Sequence, residues 1–63
     1  MDIESILKKA LEMELEAIEV YTKMKENADT ETAELLDFLI NEEKRHAKMI
    51  EERLRAIKLL KRE

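Results

Sequence analysis

Two acids and one imidazole fall where charge is not expected. Glu43 and His46 are three residues apart, the spacing that puts both side chains on one face of a helix. Leu36, Leu39, Ile40, Ala47 and Ile50 surround Glu43 at helical spacing, and Leu7, Ala10, Leu11, Ala17, Ile18 and Tyr21 surround Glu14. Most other glutamates have charged neighbours: Glu16 shares its surroundings with Lys9, Glu12, Glu19 and Lys23. A carboxylate among apolar side chains is costly unless it is paired or takes up a proton. No Lys or Arg lies on either apolar stripe near Glu14 or Glu43, so a bound cation is the simplest remedy. Carboxylate oxygens with an imidazole nitrogen suit iron or manganese, and zinc also binds such a set. The plainer alternatives are an ordinary hydrogen bond between His46 and Glu43, and a Glu14 kept to fix helix register.

The elements that must position these residues follow from composition and period. The chain has 63 residues, no Gly, no Pro and no Cys, and 44% of it is charged. That is the composition of long helices with solvated outer faces. The absence of Cys excludes disulfides, thiolate zinc sites and iron–sulfur clusters. Asp2 suits an N-cap, and a helix is predicted over about 2–26. Asn27-Ala28-Asp29-Thr30 is the one cluster of helix-poor residues, so the turn falls at about 27–30 and a second helix at about 31–61. Asp29 or Thr30 caps that helix. The first helix carries a stripe of Ile3, Leu7, Ala10, Glu14, Ala17, Tyr21, Met24 and Ala28. The second carries Leu36, Leu39, Glu43, His46, Ile50, Leu54 and Ile57. Each stripe is apolar except in its middle. A turn centred between residues 28 and 29 sets Glu14 opposite Glu43, each about 22 Å from the turn at ~1.5 Å per residue. The reading is all-α: a single domain over 1–63, folded as a two-helix antiparallel hairpin.

A domain this small buries little core alone, and without disulfides it needs a metal or a partner chain. A homodimer related by a two-fold axis makes a four-helix bundle whose core holds four carboxylates and two imidazoles. That is the ligand set of a di-iron carboxylate site, with two Fe per dimer. Ile6, Met13 and Val20 form a second apolar edge on the first helix, and Phe38, Met49 and Ala56 on the second, which predicts a higher homo-oligomer. Residues 1–43 hold 4 basic and 13 acidic side chains, and residues 44–63 hold 8 and 3. Arg53, Arg55, Lys58, Lys61 and Arg62 read as a solvated end complementing a helix C-terminus. With a net charge of −4 and few aromatic residues, no nucleic-acid partner is expected. No apolar run approaches membrane-spanning length and the start lacks a basic leader, so the expected location is cytoplasmic, with no membrane partner.

The segment Glu14-Leu15-Glu16-Ala17-Ile18-Glu19-Val20-Tyr21 resembles the Glu-x-x-Ala-x-x-x-Tyr pattern of the rubrerythrin and ferritin-like superfamily. Glu42-Glu43-Lys44-Arg45-His46-Ala47 resembles its Glu-Glu-x-x-His-Ala pattern. The likeness runs from about Ile6 to Leu54 and implies a ferritin-like four-helix bundle. By that resemblance Glu14 is a terminal iron ligand, Glu43 a bridging ligand, and His46 completes each iron's coordination, with Tyr21 beside them. One such motif, where family members fold two in one chain, is similar to the half-ferritins, including encapsulated ferritin-like proteins that build the site between subunits. The implied function is oxidation of Fe(II) by dioxygen or hydrogen peroxide. A near variant is peroxide scavenging fed by an external electron donor, since no Cys-rich rubredoxin-like domain is present. An encapsulating shell is a further implied partner. The alternative from another class is a structural hairpin that oligomerises and holds a non-catalytic metal, or none.

Overall fold

The computed structural model describes residues 2–61. Helix α1 spans Ile3–Lys25 and helix α2 spans Thr30–Lys61. Both begin on an aspartate, because an N-terminal helical turn leaves N–H groups that a short acidic side chain can accept. Asp2, in extended backbone, takes the Ser5 N–H at Oδ1, 2.8 Å away. Asp29 takes the Thr32 N–H at Oδ1 over 2.8 Å, and its carbonyl takes the Ala33 N–H over 2.8 Å. Without glycine, α1 ends by tightening: the N–H groups of Glu26, Asn27 and Ala28 donate to the carbonyls of Lys23, Met24 and Lys25 at 3.1–3.2 Å. No residue of the turn adopts a positive φ. Asn27 therefore lies just past the helix end. Glu4 and Glu31 occupy first turns, and Lys23, Lys25, Lys58 and Lys61 last turns, each opposing the helix dipole.

The helices pack side by side as an antiparallel hairpin. Among the described residues four are buried, Leu36, Ile40, Ala47 and Leu54, all on α2. Leu7, Leu11, Ile18 and Tyr21 of α1 are half-buried against them. This seam lies to one side of the stripe the sequence predicts. Ile40 and Ala47, which lie off that stripe, are buried alongside Leu36 and Leu54, which lie on it, whereas Ile3 is 60% exposed and Met24 52% exposed, and His46 also faces out. The reason is that each apolar arc is wider than one helix contact requires. One hairpin covers one flank of the arc and leaves the other bare.

The shape shows how bare. The principal extents are 52 × 18 × 12 Å, so the molecule is one helix thick in its least dimension. Its radius of gyration is 14.9 Å, against ~11 Å for a compact chain of this length. A compact 7.5 kDa monomer exposes about 4200 Å², whereas this chain exposes 5237 Å². Ion pairs between Lys25 and Asp37 and between Lys61 and Glu4 (3.8 Å) join the helices near the two ends. Such exposed pairs contribute little. Among the described residues no helix is long and apolar enough to cross a membrane. Arg62, expected in the basic end, lies outside the described residues, as do Met1 and Glu63.

Candidate metal centre

Glu14 sits midway along α1, and the hairpin register brings it beside Glu43 and His46 of α2. The His46 Nδ1 lies 3.2 Å from Glu43 Oε1 and 3.4 Å from Glu14 Oε2. One donor atom from each residue lies within 4.8 Å of the others, and this is the one such group among the described residues. No residue outside the three singled out from the sequence joins it. Glu42, the other acid on this stretch of α2, turns to Arg45 at 3.3 Å. Tyr21 is half-buried on the Glu14 side of α1, two turns further along. Among the described residues no hydrogen bond ties its hydroxyl to the cluster.

The donor atoms differ in surroundings. The Glu14 Oε2 atom is out of contact with water and has no hydrogen-bond partner, the one side-chain atom so placed among the described residues. A buried acceptor in that state costs about 1–3 kcal/mol. A cation between the three side chains would satisfy it, and two carboxylates with one imidazole make a donor set that iron, manganese or zinc accepts. The residues therefore fit a metal ion. The side chains are graded in exposure: Glu43 21%, Glu14 24% and His46 47%. The apolar neighbours that surround Glu14 and Glu43 in the sequence do not make the site wholly dry in one hairpin. Two helices shield the carboxylates from one side only, so the imidazole stands at the open flank.

Residues 5–62 match the sequence profile of the Rubrerythrin family. An uncharacterized protein of Archaeoglobus fulgidus is 59% identical over 63 residues, which is 100% of both chains. No solved structure matches the chain.

Proposed function

The chain belongs to the rubrerythrin family, and from that premise we propose that two copies close into a four-helix bundle and oxidise Fe(II) at a paired-iron site. Glu14, Glu43 and His46 of each copy hold the metal. The observation that carries this reading is the orphaned Glu14 Oε2, a buried acceptor 3.4 Å from an imidazole nitrogen with nothing else to bond. An iron pair, when bound, supplies two electrons at once and so suits dioxygen or hydrogen peroxide as oxidant.

The protein's own groups divide the remaining work. The two carboxylates carry negative charge into a partly desolvated place, which favours the more highly charged oxidised ion. The His46 ring must be neutral to offer a nitrogen lone pair, so metal loading competes with protons. Its exposure makes the open flank the route of entry for the ion. Leu39 and Ile50, half-buried one turn to either side of Glu43 and His46, limit water access to the carboxylates. The second copy completes the ligand set and covers the flank. The surface in excess of a compact monomer is about 1000 Å², close to the ~800 Å² that each partner gives to a stable interface. With hydrogen peroxide as oxidant the same site acts as a scavenger, and its reductant must come from outside these 63 residues, which contain no Cys.

The test is an anaerobic Fe(II) titration followed by admission of air. Binding should saturate near one iron per chain, with an Fe(III) absorbance developing afterwards. Glu43→Ala and His46→Ala should each lose that oxidation while keeping wild-type helicity. Oxidation that persists in either variant removes that residue from the site. Metal binding with no turnover in the wild type leaves a structural hairpin instead.

A further inference from the structure

A second surface lies away from the metal ligands. Leu11, Glu51, Leu54, Arg55, Lys58 and Leu59 line an open groove of about 530 Å³. Arg55 follows His46 by nine residues, about half a revolution of the helix, so the groove opens on the flank opposite the imidazole. Leu54 forms its buried floor, and Arg55 and Lys58 stand exposed at its rim. Among the described residues neither cation takes part in an ion pair.

Phe38 is the one phenylalanine of the chain, and it is 59% exposed. It lies 16 positions from Leu54 along α2, about 160° round the helix from the seam. Its ring therefore points away from α1. It is also about 80° from His46, so covering the metal flank does not account for it. Glu34 and Glu31 come one and two turns earlier on the same outer face. Both are exposed, and among the described residues neither is in an ion pair. One surface is thus a leucine-floored hollow whose rim carries two cations, Arg55 and Lys58, and one acid, Glu51, a net positive edge, and the other is an aromatic knob beside two carboxylates. The pattern extends to the whole hairpin. Residues 15–43, which include the turn, hold 2 basic and 9 acidic side chains, and the remainder, at the opposite end, hold 10 and 7.

We propose that the groove seats the Phe38 ring of another copy of this chain, with Glu31 and Glu34 of that copy against Arg55 and Lys58. An aromatic ring fills a cavity of about 150 Å³, so the groove has room for the ring and the chain beside it. The contact joins two different surfaces. Phe38 and Arg55 point about 100° apart round α2, so one pair of copies cannot make the contact twice, and it repeats from copy to copy to build a ring or a filament. Its residues are separate from the metal ligands, so it stands whether or not the iron reading does.

The experiment is native mass measurement on the iron-loaded protein at low salt, with helicity and iron per chain recorded on each sample. Wild type should run heavier than two chains, and molar salt should shift it towards the pair. Phe38→Ala should lose the heavier species with helicity and iron content unchanged. The double variants Arg55→Glu/Lys58→Glu and Glu31→Lys/Glu34→Lys should each fail to assemble alone. Mixed together they should regain the heavier species, because each supplies the surface the other needs. A wild type that never exceeds two chains overturns the proposal. So does a Phe38→Ala protein of unchanged mass, or a mixture that stays as light as its parts. Loss of iron binding alone bears on the metal site and not on this contact.

Discussion

Replacing Glu14 with leucine should make the variant more stable than wild type without metal and less stable than wild type with it. One Glu14 oxygen is buried with no hydrogen-bond partner among the described residues. A group in that state costs about 1–3 kcal/mol. The Glu14 side chain keeps 24% of its surface in water, so the lower end applies. Leucine removes the unsatisfied acceptor, adds apolar area to the seam and suits a helix interior. The metal-free variant should gain about 1 kcal/mol, a rise of roughly 4–8 °C in midpoint for a domain of this size. Wild type should instead gain ~2.7 kcal/mol when the ion stands at a hundred times its Kd, and the variant nothing. Thermal unfolding followed by circular dichroism decides it, under anaerobic conditions, with and without Fe(II), at one fixed chain concentration. The fixed concentration keeps any change in assembly out of the comparison. A metal-free Glu14→Leu protein that melts below wild type would refute the reasoning, as would equal gains on adding iron.

Leu54→Ala should cost about 2–3 kcal/mol, the low end for a buried leucine because the groove beside it is already open; a lower urea midpoint at unchanged slope would show it. Ala47 is buried where the helices approach, so Ala47→Leu should overpack the seam and cost about 1–3 kcal/mol by the same measurement. Acid should erode the caps. Hydrogen bonding from the Ser5 N–H holds Asp2 below its ordinary value, and hydrogen bonding from Thr32, by its hydroxyl and then its N–H, does the same for Asp29. Both are lowered in the folded state, so their contribution is complete above the ordinary carboxylate value of ~3.9 and disappears as pH falls through the lower folded values. Helicity of an Asp2→Asn/Asp29→Asn protein, whose amide oxygens cap without titrating, should fall less steeply in that window than wild type.

Much of this architecture could be read before any coordinates. Two long periodic stretches without glycine or proline, parted by one cluster of cap-forming residues, leave little choice but a helical hairpin. Counting outward from that turn gives the level at which Glu14 meets Glu43. The period could not say which side of each stripe meets the neighbouring helix. An apolar arc wider than one helix contact has a centre through which that contact need not pass. For that reason Ile40 and Ala47 join Leu36 and Leu54 in the seam, while Ile3, Met24 and His46 of the predicted stripes face outward. The orphaned oxygen was equally illegible, since it depends on how one carboxylate turns relative to a ring 3.4 Å away. The choice of Glu42 for Arg45 rather than for the cluster was foreshadowed by the arginine beside it.

The Lys61–Glu4 pair shows that the outgoing end of α2 lies beside the incoming end of α1. Joining two copies into one polypeptide is then a matter of distance. If the hairpins lie with their turns at the same end, a few added residues reach from one copy to the next. If they lie head to tail, the connector must travel the 52 Å length of the molecule, at least ~15 residues even when fully extended. A graded series of tandem fusions would therefore act as a ruler for the arrangement.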